Sequence, residues 1–143
     1  MEERSYISGK EELEEFLQNV KATICDSAFN PYGNMIIIPK KKSEGPLDRF
    51  TTENTMMRLE FDPSDVANEL RTLTHQEYYQ TCIDDIDKNL PNLFVFFRKI
   101  QNEDIYIKFR IYTSGRERVL CLSFHRARDP VDYEALPYRH CTW

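Results

Sequence analysis

The sequence predicts an α+β domain in which N-terminal helices pack on a C-terminal antiparallel β-sheet of at least three strands. Two observations carry this. Up to about residue 80 the apolar residues recur at three- and four-residue spacing, whereas from Phe94 they recur at every second residue. These are the periods of a helix face and of a strand face. Within the second half, two alternating runs flank a short turn centred on Ser114-Gly115, the pattern of an antiparallel pair. The chain has 143 residues, the size of one domain, and needs no disulfide or metal staple to bury a core. It reads as a single domain, 1–143, with a helix-and-strand extension over 1–45 and a core over 46–143.

In order, Ser8-Gly9-Lys10-Glu11 has capping-box spacing and precedes Leu13, Phe16, Leu17 and Val20, one apolar stripe on a helix of about three turns. Asn30-Pro31-Tyr32-Gly33-Asn34 is a turn cluster, and Met35 to Ile38 is a short strand stopped by Pro39. The loop from Lys40 to Pro46 carries three lysines, read as solvated. Thr51 to Leu59 is a short helix burying Met56 and Leu59. Asp62-Pro63-Ser64-Asp65 opens a further helix with a capping Asp, Pro at the first helical position and acidic charge in the first turn. Its inward stripe is Val66, Leu70 and Leu73. Thr74-His75-Gln76-Glu77 repeats the capping-box spacing and predicts another short helix through Tyr78 and Tyr79. Asp84 to Pro91 is an acidic loop. Phe94 to Arg98 is a strand. Ile105, Ile107, Phe109 and Ile111 then alternate with Tyr106, Lys108, Arg110 and Tyr112, and Leu120, Leu122 and Phe124 alternate with Val119, Cys121, Ser123 and His125.

Composition narrows the class. Hydrophobic residues make up 41% and charged residues 30%, a globular balance. No apolar run reaches the roughly 18–20 residues of a membrane span, and the first residues lack the basic start and apolar stretch of a signal peptide; a cytoplasmic protein with no membrane partner is expected. Cys25, Cys82, Cys121 and Cys141 form no C-x-x-C pair, so free thiols, no metal site and no cofactor are expected. Net charge is −5, which speaks against a nucleic-acid partner. It is unevenly spread, however: residues 1–97 hold 10 Lys/Arg against 18 Asp/Glu, and residues 98–143 hold 9 against 6. A local basic surface on an acidic body can meet an anion; solvated arginines covering apolar surface with their stems are the plainer explanation.

Strand alternation sorts the C-terminal side chains. If Ile105, Ile107, Phe109 and Ile111 face the core with Leu120, Leu122 and Phe124, then Tyr106, Lys108, Arg110, Ser123 and His125 share the other face. Consistent sidedness pairs an odd with an even residue. The shortest turn sets 112 opposite 119, hence Lys108 opposite Ser123 and Tyr106 opposite His125. Arg98 and Lys99 can border the same surface. A phenol, an ammonium, a guanidinium, a hydroxyl and an imidazole suit metal-free RNA cleavage. That reaction needs a base for the 2′-hydroxyl, cations for the phosphate and an acid for the leaving oxygen, and histidine titrates near neutrality. Polar residues on the solvent face of a sheet are also the default arrangement.

Leu73-Thr74-x-x-Glu77-Tyr78-Tyr79, Phe94-Val95-Phe96, Ile105-Tyr106-Ile107-Lys108 and Val119 to His125 follow one another in order and spacing. Together they resemble the MqsR family of bacterial toxins, within the RelE-like ribonuclease superfamily. The likeness is to a branch ending in Ser-Phe-His-x-Ala followed by Pro and Tyr, here Ser123 to Ala127, Pro130 and Tyr133. It covers roughly residues 50–135. The resemblance implies a RelE/MqsR-like fold and an mRNA endoribonuclease held silent by an antitoxin protein. It implies catalytic roles for Tyr106, Lys108 and His125. The family's tyrosine and lysine fall on Tyr106 and Lys108, while two further family lysines fall on His125 and near Gln80. Arg98, Arg110, Ser123 and Arg126 are the expected substrate-binding residues. In that scheme Lys108 and Arg98 hold the phosphate, Tyr106 orients or deprotonates the 2′-hydroxyl, and His125 is the acid. Two other functions remain open. One is a non-catalytic module of the same fold that binds a protein. The other is an assembly role in which Tyr133, Tyr138 and Trp143 pack on a second copy in a homodimer.

Overall fold

The computed structural model describes residues 4–84, 87 and 89–143. It is an α+β structure: three helices and a six-stranded, mostly antiparallel sheet of order β1-β3-β4-β5-β6-β2. The strands are β1 (Arg4–Tyr6), β2 (Met35–Ile37), β3 (Tyr78–Ile83), β4 (Leu93–Ile100), β5 (Glu103–Ile111) and β6 (Val119–Arg126). The helices are α1 (Lys10–Ile24), α2 (Thr52–Leu59) and α3 (Pro63–Arg71). β2 runs parallel to β6, and every other neighbouring pair is antiparallel. No helix among the described residues is long and apolar enough to cross a membrane.

The helices lie on one sheet face. Leu13, Phe16 and Val20 of α1, Leu59 of α2 and Val66 and Leu70 of α3 share one buried cluster with Phe94, Phe96, Ile105, Ile107, Phe109 and Phe124. Phe16 stacks on Phe94 at 3.8 Å between ring centroids. Leu17 and Met56, expected to be inward, are only partly buried at its margin. α3 starts as its sequence demands: Asp62 accepts from Asp65 N, and the Asp65 carboxylate accepts from Asp62 N. The residues before Lys40 are integral to the fold, since they supply α1 and both outer strands. β4 and β5 are joined by Gln101 and Asn102, both at positive φ, the two-residue hairpin turn whose twist matches the flanking strands.

Three expectations change. Ser8 does not cap α1: Gly9 is the N-cap, without a side-chain bond. The Ser8 hydroxyl is buried against Thr81 Oγ1 (2.6 Å) instead, and its backbone N–H donates to Tyr78 Oη (2.8 Å). The capping box at Thr74 and Glu77 is real, but it opens only a short 3-10 turn, His75–Glu77. Tyr78 and the residues after it are strand β3. The acidic loop lies partly outside the described residues. Finally, β6 contains a bulge. Lys108 pairs with Ser123 and Tyr106 with His125, whereas Phe109 pairs with Cys121 and Ile111 with Val119. Leu122 is the extra residue. Beyond it Val119 and Cys121 face the helices, and Leu122, partly buried, packs on Cys82, Leu93 and Val95 on the far face.

β6 is next to last in the sheet, and β2 beside it covers only its first residues. Ile38 N donates to Cys121 O (3.0 Å). Further along, α2 closes the edge: Phe124 N donates to Thr52 Oγ1 and Arg126 N to Thr55 Oγ1, each at 3.0 Å. Thr52 and Thr55 are both buried, so these hydroxyls replace a seventh strand for two strand amides.

Candidate functional site

The sheet face away from the helices has two zones. Cys82, Leu93, Val95, Lys108, Arg110 and Ser123 are buried in the first. Lys108 and Arg110, expected on an open surface, are only 7% and 3% exposed. Arg110 Nη2 donates to Asp84 Oδ2 at 2.9 Å. The second zone is open. A row of rings crosses four strands there: Tyr79 (β3), Phe97 (β4), Tyr106 (β5) and His125 (β6). Successive centroids are 5.2, 5.4 and 5.2 Å apart. The first two contacts are edge-to-face, and Tyr106 and His125 are stacked with 20° between planes.

This row floors a cleft of about 490 Å³. Its other wall is the segment after β6, with Ala127, Pro130, Val131 and Leu136, and its rim carries Lys41, Arg128, Glu44, Asp129 and Asp132. Arg128 is held by Glu44 (3.0 Å) and Asp48 (2.7 Å). Their hydrogen bonds push its pKa up, that of Asp48 being the larger influence.

His125 is the chemically distinctive group. Burial holds its pKa below the ordinary 6.5, despite an opposing hydrogen bond to Arg126. Nδ1 lies 2.9 Å from Arg126 O. A carbonyl only accepts, so Nδ1 carries the proton in the neutral ring and Nε2 is left with its lone pair. No described residue hydrogen-bonds to Nε2. A neutral imidazole with Nε2 facing a cleft is equipped to accept a proton.

Tyr106, Lys108, Arg110, Ser123 and His125 thus share a face, but only Tyr106 and His125 line the cleft. Arg98 and Arg126 lie on the helix side, because their strand partner is Ile105, a core residue. Arg98 is bound by Glu77 (2.7 Å) and Glu69 (3.0 Å) and donates to Thr72 O (2.8 Å). Arg126 contacts Glu103 (3.3 Å) and Arg49 O (2.9 Å). Neither lines the cleft that holds Tyr106 and His125. Sequence reasoning missed Tyr79, Phe97, Lys41 and Arg128. Phe97 was accessible to the parity argument, since it pairs with Tyr106; the others had no periodic signal. Comparison with family models, curated proteins and solved structures finds no match.

Proposed function

We propose that this chain is a toxin-like mRNA endoribonuclease that cuts through attack of the 2′-hydroxyl, with no metal required, and that an antitoxin protein neutralises it. The observation that carries this reading is the Tyr106–His125 pair, directly opposed across β5 and β6 and stacked at 5.2 Å on the cleft floor. In the reaction, His125 Nε2 takes the 2′-hydroxyl proton. The 2′-oxygen then attacks the adjacent phosphorus, and the bond to the 5′-oxygen breaks as that oxygen takes a proton from the Tyr106 hydroxyl or from water, giving a 2′,3′-cyclic phosphate and a 5′-hydroxyl. Lys41 and Arg128 at the rim offset the charge that builds on the phosphoryl oxygens. Tyr106 donates to the reacting group, as an acid or as an orienting hydrogen bond. Lys108 and Arg110, buried in the neighbouring zone of the same face, support the sheet rather than touch RNA.

The test is incubation of pure protein with mixed-sequence RNA in a chelator, beside His125→Ala and Tyr106→Phe. Cleavage with cyclic-phosphate ends is expected, reduced about 10²–10⁴-fold by His125→Ala and about 10²–10³-fold by Tyr106→Phe. Intact RNA with wild-type protein, or equal cutting by wild type and His125→Ala, refutes the assignment. One observation favours a second reading, a non-catalytic module holding a protein segment. The rim carries three carboxylates against two cations, and Arg128 is already paired. That reading expects no cleavage and co-purification of a protein bound over the cleft.

A further inference from the structure

We infer that the Tyr79–Phe97 end of the aromatic row is a stacking seat for an unpaired base, so that the strand bound in the cleft must be single-stranded. This rests on the proposed RNA-cleaving function and names the form of its substrate.

The seat is constructed by a local irregularity. The β3–β4 register shifts between Tyr78 and Gln80. Gln80 pairs with Val95 on the face away from the helices, and Tyr79, the extra residue before it, faces the same way beside Phe97 and is 40% exposed, where unbroken alternation would have turned it into the core. Bulges re-aim side chains in this way. Here the effect is to add a fourth ring to a row otherwise composed of residues directly paired across strands: Phe97 with Tyr106, and Tyr106 with His125. Rings left facing a cleft do not gain the burial that keeps aromatic residues in a core. The cleft volume, about 490 Å³, lies within the range of about 300–1,000 Å³ usual for small-molecule pockets. It has apolar residues on its far wall, Pro130, Val131 and Leu136. A planar group entering it meets aromatic surface below and aliphatic surface above.

The position fits the chemistry. Tyr79 stands two strands from Tyr106, about 10 Å at the usual strand spacing. It is therefore too far to hold the nucleotide whose 2′-hydroxyl reaches His125, and it is placed for a neighbouring one. Stacking on rings tolerates any base, so the seat would fix the strand without choosing its sequence. A duplex keeps its bases inside the helix and cannot offer one. Lys41 on the lining of the same cleft supplies the kind of backbone contact that single-strand binders combine with such rings, beside Arg128, which Glu44 and Asp48 hold in place.

The experiment measures equilibrium binding of a fluorescent 2′-O-methyl oligoribonucleotide, which has no free 2′-hydroxyl and cannot be cut by this route. Wild type, Tyr79→Ala and Tyr79→Trp are compared, with thermal melting of each variant alongside. Tyr79→Ala is expected to weaken binding about 5- to 100-fold, Tyr79→Trp to keep it, and the same sequence as a duplex to bind far more weakly. Should Tyr79→Ala melt below the assay temperature, Phe97→Leu makes the same comparison. Binding within twofold of wild type for the folded variant, or equal binding of the duplex, overturns the seat. If the variants behave as expected but natural RNA is left intact, the seat stands and the cleavage reading falls. If RNA is cut equally well by Tyr79→Ala, which also binds normally, the cleavage reading stands and the seat falls.

Discussion

Replacing Thr52 and Thr55 by valine tests how β6 is held beside the site. Valine has nearly the shape of threonine and a similar helix propensity, so the change removes the hydroxyl and little else. The two hydroxyls serve Phe124 N and Arg126 N, the amides on either side of His125, each at 3.0 Å. The Phe124 bond is buried, and a buried amide left without a partner costs about 1–3 kcal/mol. The Arg126 bond is only partly buried, so water can replace it, and about 1 kcal/mol is expected there. Together the substitutions should remove about 2–4 kcal/mol, a large share of the roughly 5–15 kcal/mol that keeps a domain folded. At about 2–4 °C per kcal/mol for a chain of this size, the double variant should melt some ~5–15 °C lower. Urea unfolding gives the free energies. Thr52→Ser and Thr55→Ser, which keep the hydroxyl and lose the methyl, are the controls. The reasoning is refuted if both valine variants lie within about 0.5 kcal/mol of wild type, the ordinary range for neutral substitutions. It is equally refuted if the serine variants are the less stable ones.

Three further outcomes follow from particular contacts. Arg98→Ala strands Glu77 and Glu69, whose side chains are 17% and 21% exposed. Loss of about 3 kcal/mol is expected, with RNA cleavage below the melting temperature unchanged; reduced cleavage in a protein of unchanged stability would return Arg98 to the site. Asp62→Ala removes the side-chain cap on Asp65 N and leaves the backbone N–H of residue 62 to donate to the Asp65 carboxylate; it should cost about 1 kcal/mol, read as a lower urea midpoint with an unchanged slope. His125 links pH to stability, because burial holds its folded pKa below 6.5. The unfolded chain takes up the proton first as pH falls, so stability is steady above that value and declines between it and the folded pKa. His125→Asn should flatten this decline in urea midpoints taken from about pH 8 to about pH 5. A slope unchanged by the substitution would assign the titration to another group.

Much of the fold was legible because it follows the two periodicities. The stripe Leu13, Phe16 and Val20, the Asp62 start and the alternation over β4 and β5 all reappear in the structure, whereas in β6 the bulge puts Val119 and Cys121 on the core face in place of Leu120 and Leu122. β3 escaped notice because its inward residues include Thr81, a polar side chain satisfied by Ser8 and Tyr78, and because its bulge breaks the alternation. The Ser8 capping box failed for the same reason: the hydroxyl had a partner 73 residues away that no local pattern reveals. At the site, parity correctly set Tyr106 beside His125, although the turn register behind that inference was off by one and the bulge at Leu122 absorbed the difference. Parity names the face of a residue but not what covers it, so the burial of Lys108 and Arg110 could not be read from alternation alone.

The extra residue at Leu122 makes β6 a strand with slack in it. The pairs toward the turn, Phe109 with Cys121 and Ile111 with Val119, and the pairs toward the cleft, Lys108 with Ser123 and Tyr106 with His125, obey registers one residue apart. Shortening the chain by one residue at the bulge would let both halves share a single register, each side chain keeping its face. The bulge is therefore an expansion joint between the two halves of β6. A change of chain length on the turn side can be taken up there before it reaches the Tyr106–His125 pair, so the turn end of this hairpin is free to vary in length while the cleft end keeps its count.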